Sequence, residues 1–169
     1  MNKNDILTLY DYNYWANARI LDAAQKLTFA QYSMPASLSH GSLRSTLVHT
    51  LGAEVIWRQR CQEVISPTTL LSESDFPTLE LLQICWQAEE QAMRAYLATL
   101  TDAVLNETIH YKNTKGVPFQ ETLWKILAHL VNHGTQTRAE SAMALTAYGQ
   151  SPGDLDLILY FRELGNHIE

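Results

Sequence analysis

Between Lys3 and Leu27, the residues Ile6, Leu7, Tyr10, Tyr14, Ala16, Ile20, Leu21, Ala24 and Leu27 recur at three- and four-residue intervals, with polar residues between them. That period fits one face of an α-helix, so an amphipathic helix is predicted here, with Asn4 as its N-cap. Phe29 to Gly41 holds Pro35, several serines and a glycine, which predicts a loop with a short helical turn. From Ser42, a suitable cap, to about Val64, the residues Leu43, Leu47, Val48, Leu51 and Val55 define a second apolar stripe. His49 falls beside that stripe, and Gly52 and Ala53 leave room for another helix or a ligand to approach.

Ser66 to Pro77 is rich in Ser, Thr, Pro and acid and reads as a connector. Thr78 opens a third helix to about Leu100, with Leu79, Leu82, Trp86, Met93 and Leu97 on its apolar side. Asp102 to Phe119 breaks the helical period: Thr108, Ile109, Tyr111 and Val117, Phe119 flank Asn113-Thr114-Lys115-Gly116, a pattern for a short hairpin or an extended excursion. A fourth long helix is expected from about Gln120 to Tyr148, stopped by Gly149. Ser151-Pro152-Gly153-Asp154 makes a turn before a short final helix, Leu155 to Leu164. The predicted fold is all-α: an antiparallel four-helix bundle with a short extra C-terminal helix, one domain over residues 1–169.

Composition narrows the partners. A chain of 169 residues that is 46% hydrophobic suits one core. The formal charge of -6, from 18 acidic and 12 basic residues without a dense Lys/Arg cluster, disfavours nucleic acid and anionic membranes. Met1 to Ile6 lack the basic start and apolar core of a secretory signal, and no apolar run reaches membrane-spanning length. Cys61 and Cys85 form no zinc-type or redox pair, so both are expected to be buried structural residues in a reducing cytoplasm. No GxSxG elbow, phosphate-binding glycine loop or dinucleotide fingerprint is present.

The strongest chemical signal is Leu127-Ala128-His129-Leu130-Val131-Asn132-His133-Gly134, which sets two histidines on one face of the last long helix. With His49 from the second, imidazoles from two helices can grip a divalent ion. His129 and His133 can equally be ordinary polar residues bonded to backbone or solvent. His40, His110 and His167 are expected to face solvent, Glu54 and Arg58 to form a surface pair, and Tyr14, Trp15 and Trp57 to serve as core or pocket wall.

Four parts in order resemble the DinB superfamily, the DinB/YfiT-like metalloenzymes, over nearly the whole chain. They are Tyr14-Trp15-Ala16-Asn17-Ala18-Arg19-Ile20-Leu21; Leu47-Val48-His49 with Trp57; His129-Leu130-Val131-Asn132-His133-Gly134-Thr135 with Arg138; and Gly149-Gln150-Ser151-Pro152-Gly153-Asp154-Leu155-Asp156. The resemblance implies a four-helix bundle holding a divalent metal, zinc or nickel, with His49 and His133 as ligands. The third histidine of that pattern falls at Thr137, a poor ligand. The gap leaves three arrangements: His129 as third ligand or as a supporting residue of the shell, a two-histidine site completed by water or by Glu54 or Glu140, or a site that has lost its metal. Arg138 would orient a substrate or serve in an ion pair inside the bundle.

By the same resemblance the function is thiol-dependent transfer to, or isomerisation of, a small electrophile, with a low-molecular-weight thiol as partner and a homodimer as assembly. The contrasting expectation is a metal-free bundle that binds a small molecule or serves a stress response without catalysis.

Overall fold

In the computed structural model, which describes residues 1–165 with side chains through Leu164, the first helix starts at Lys3, as the apolar pattern places it, but ends at Ala24, short of Leu27. Asn2, not Asn4, caps α1 (Lys3–Ala24): its side chain accepts from Asp5 N while the Asp5 carboxylate accepts from Asn2 N. This reciprocal cap satisfies two otherwise orphaned donors. A single turn, α2 (Phe29–Ser33), follows, and Ser42 caps α3 (Leu43–Arg58) as expected. The α-helical period of α3 then widens into a π-helical turn, Gln59–Glu63, which ends at Val64 in the left-handed region, φ 56°.

Helix α4 (Leu79–Thr99) leads through the short α5 (Asp102–Leu105) to a hairpin, β1 (Thr108–Lys112) and β2 (Pro118–Thr122). The strands pair antiparallel from Thr108 with Thr122 to Lys112 with Pro118. This ladder takes up Gln120 to Thr122, so α6 (Leu123–Ala147) starts three residues later than the apolar pattern implies. Gly149, φ 72°, provides the left-handed stop after α6, and α7 (Leu157–Gly165) completes the described chain.

Four helices make the bundle: α1 and α3 each lie against both α4 and α6. Their directions follow from which residues meet. His49 meets His133 and Trp57 meets His129, so α3 and α6 run antiparallel, and Asp11 with Arg94 and Lys3 with Ala98 make α1 and α4 antiparallel too. Tyr10 reaches Leu127 and Asn17 reaches Arg138, so α1 and α6 run side by side in one direction; Glu54 with Trp86 and Arg58 with Glu89 do the same for α3 and α4. A parallel neighbour forces the chain to travel back the length of a helix, about 24 Å for the 16 residues of α3. The segment 64–78 is that return.

The core is divided. One cluster gathers Ile6, Tyr10, Met93, Leu97, Leu123 and Leu130, and the other gathers Ile20, Leu47, Leu51, Leu82, Trp86 and Leu145. Between them lies a layer of buried polar residues, Asn13, Asn17, Glu54 and Arg138. Among the described residues, no helix is long and apolar enough to cross a membrane.

Candidate metal centre and the polar layer beneath it

The antiparallel contact of α3 and α6 brings the sequence-predicted pair together. His49 Nε2 and His133 Nε2 stand 3.0 Å apart, with ring centroids at 5.0 Å. Burial is the first cause that lowers the pKa of both. His49 is brought down to about 4, helped by the neighbouring His40 and His133 rings and opposed by Glu140. His133 is lowered by burial, then by His129, His40 and Arg138. Both imidazoles are therefore neutral near pH 7, the state that ligates metals. The buried Nδ1 of His133 has no partner among the described residues.

His40 was expected in solvent. Instead the loop before α3 folds it over the pair, its ring stacked on His49 at 3.8 Å. Ser39 holds that loop down: its N and Oγ donate to the two carboxylate oxygens of Glu140 on α6, at 3.0 and 2.5 Å. Glu140 is thereby engaged with the loop. His129 faces the same cleft but is exposed, with its ring 6.1 Å from that of His133 and edge-on to Trp57 at 5.8 Å.

The donors can be weighed against a metal's needs. Two nitrogens on one tetrahedral zinc, at about 2.0–2.1 Å each, sit about 3.3 Å apart; the observed 3.0 Å, the length of a hydrogen bond from one neutral ring to the other, is close to that separation. Thr137 does not supply a third donor, because its buried hydroxyl donates along its own helix to the carbonyls of His133 at 3.3 Å and Gly134 at 3.2 Å. Among the described residues, no group of three His, Cys, Asp or Glu side chains is assembled for a metal. The residues present fit an ion held by two imidazoles with the rest of its shell open. Two recesses adjoin the pair: one of about 250 Å³ lined by Ala53, Trp57, Arg60 and His129, and one of about 210 Å³ lined by His40, Val48 and Leu71.

Arg138, read from sequence as orienting a substrate or pairing inside the bundle, is 3% exposed and turned towards α1. Its Nη1 donates to Asn13 Oδ1 at 2.5 Å and Asn17 Oδ1 at 2.9 Å, and its Nη2 to Thr135 at 3.2 Å. The two amides pass the interaction on, each donating from Nδ2 to Glu54 Oε1, at 3.1 and 3.0 Å; Trp86 Nε1 donates to Glu54 Oε2 at 3.2 Å. A guanidinium and a carboxylate are thus joined through two asparagines, every amide oxygen facing the cation and every amide nitrogen the anion. Burial nevertheless raises the Glu54 pKa to about 7, with the hydrogen bonds and the Arg138 charge restraining the shift.

The expected Glu54–Arg58 surface pair therefore does not form. Glu54 points inward, 2% exposed, while Arg58 bonds the buried Glu89 of α4 at 2.6 Å and Glu63 at 2.8 Å. Gly134, beside His133, makes the layer fit: a Cβ there would lie 2.7 Å from Arg138 Nη1 and 2.8 Å from Asn13 Oδ1. Of the cysteines, Cys61 is buried and Cys85 exposed, the latter against expectation because it sits on the outer face of α4. Tyr14 is core and Trp57 lines the cleft; Trp15 packs with Tyr160 of α7; His110 is exposed on β1. His167 lies outside the described residues.

A sequence profile for the DinB family matches residues 1–164. Protein DinB of Bacillus subtilis (strain 168) is 25% identical over 170 residues, covering 90% of this chain and 92% of that protein.

Proposed function

The chain belongs to the DinB family, and from that premise we propose that it is a metal-dependent protein in which His49 and His133 hold one divalent ion, zinc or nickel, beside a cleft for a small molecule. The observation that supports this is the meeting of two neutral imidazoles, Nε2 to Nε2 at 3.0 Å, from helices that run in opposite directions. Neutral rings turned nitrogen to nitrogen, on helices fixed by the packed layer below, are preorganised for a shared cation. Ser39 and Glu140 keep His40 stacked against His49. His40 lies nearer the pair but is stacked on His49 outside this cleft, so His129, the further imidazole lining the cleft, is the residue to complete the shell, directly or by way of water.

When bound, such an ion stabilises a thiolate over a thiol, and that is the basis of thiol-dependent transfer to, or isomerisation of, a small electrophile. The protein's own part is to shape and dry the cleft with Ala53, Ile56, Trp57 and Leu70. Arg138 acts at one remove: by tying α6 to α1 it fixes the backbone at Gly134 and with it the direction of His133. A metal-free small-molecule binder is the second reading, favoured by the turn of Thr137 towards its own backbone.

Titration of chelator-treated, untagged protein with cobalt, followed by visible absorption, tests the first reading. The expected result is saturation at one equivalent, lost in His49→Ala. An unchanged titration in that variant would overturn it and favour the second.

A further inference from the structure

Arg60 occupies an unusual place for a cation. It is 6% exposed, and its Nε is buried with no hydrogen-bond partner. Among the described residues it takes part in no salt bridge, although the chain is acidic overall. Glu63, three residues along the same turn, binds Arg58 instead. The guanidinium lies over the Trp57 ring at 4.6 Å and the Tyr111 ring at 5.3 Å. Rings attract the flat face of a guanidinium, whereas its N–H donors point outward in the plane and still require acceptors. Stacking therefore positions Arg60 without satisfying it.

Arg60 is the second residue of the π-helical turn Gln59–Glu63, where the α-helical register is broken. Arg60 then lines the same cleft as His49, His129 and His133, with Asn113 and Thr114 of the hairpin at its edge and no carboxylate among the lining residues. The rest of the wall is Ala53, Ile56, Trp57 and Leu70. At about 250 Å³ the space falls below the usual range for drug-sized ligands.

We propose that Arg60 is the anion-binding residue of this cleft and that the ligand it takes is a small organic carboxylate with an apolar body. The planar fork offers a carboxylate paired donors, and the apolar wall covers the remainder of the ligand. A buried cation without an anion, in a cleft that also lacks one, is completed by a ligand that brings the charge. The inference rests on the reading of this cleft as the ligand site, and it does not require the ion.

Isothermal titration of chelator-treated, full-length protein with phenylacetate and its neutral counterpart phenylacetamide tests it. Phenylacetate should bind about tenfold or more tightly than the amide, the scale of one charge-assisted hydrogen bond. Arg60→Gln should erase the preference, and Arg60→Lys should keep part of it. Because the chelator-treated protein carries no ion throughout, the preference is read without the metal, so failure of the metal reading and failure of the anion site give different results. Equal affinity for the two compounds in the unaltered protein, failure of phenylacetate to bind at millimolar concentration, or a preference that survives Arg60→Gln would overturn the proposal. The comparison within the unaltered protein holds even if an Arg60 variant folds poorly.

Discussion

Gly134→Ala sets two opposed effects against each other at one atom. Gly134 lies inside α6, where alanine ordinarily gains about 0.5–1 kcal/mol over glycine. The added Cβ, however, would stand 2.7 Å from Arg138 Nη1 and 2.8 Å from Asn13 Oδ1. Neither group can retreat into solvent: Arg138 is 3% exposed, Asn13 is 1% exposed, and both are bonded within the Glu54 layer. Displacing them leaves buried charge underpaired, which costs about 3–5 kcal/mol when a buried pair is broken outright. The balance is a destabilisation of about 2–4 kcal/mol, a fall in melting temperature of about 5–15 °C for a chain of this size. Thermal and urea unfolding measure it directly. In an Asn13→Ala background the same substitution should cost less, with a coupling of at least about 0.5 kcal/mol, because one of the two obstructing groups is gone. An unchanged or raised melting temperature for Gly134→Ala would refute the argument that this glycine exists to admit the polar layer.

Two further outcomes follow from the same geometry. Glu54 is raised from 4.5 to about 7, so the folded protein binds an extra proton between those values and this group makes stability fall as pH rises through about 4.5–7. His49, lowered from 6.5 to about 4, acts in the opposite sense, making stability rise with pH between about 4 and 6.5. Glu54→Gln removes only the first effect, so urea midpoints should climb more steeply from pH 4.5 to 6.5 in the variant than in the unaltered protein; equal slopes would contradict the raised carboxyl. Thr137→His adds an imidazole one helical turn from His133. It should tighten zinc binding by about a hundredfold or more, given that loss of even an outer partner of a ligand costs about 10–100-fold, and unchanged affinity would argue against a site that lacks one ligand.

The helices were legible in the sequence because they depend on local spacing, whereas the pairing of His49 with His133, 84 residues apart, was implied by the family resemblance. A 3.6-residue period marks the buried faces, and the antiparallel packing of α3 on α6 brings His49 to His133. The polar layer also carries a signal in the sequence. Asn13 and Asn17 fall within the stripe Tyr10, Asn13, Asn17, Ile20, and Glu54 continues the stripe Leu47, Leu51, so each is a polar residue at an apolar position. Polar residues at such positions require partners, and the partners come from other helices. His40 could not be placed this way, since the fold of its loop depends on the Ser39–Glu140 bonds, made across about a hundred residues of chain. Arg60 was hidden for a related reason: an α-helical period does not register the π turn in which it sits.

Metal content by mass spectrometry on untagged protein, alongside His133→Ala, addresses the central claim most directly. The account requires about one equivalent of zinc, nickel or a similar ion per chain after incubation and desalting, lost in the variant. No bound ion even after incubation with excess metal, or an equal amount in His133→Ala, would contradict a metal centre at His49 and His133.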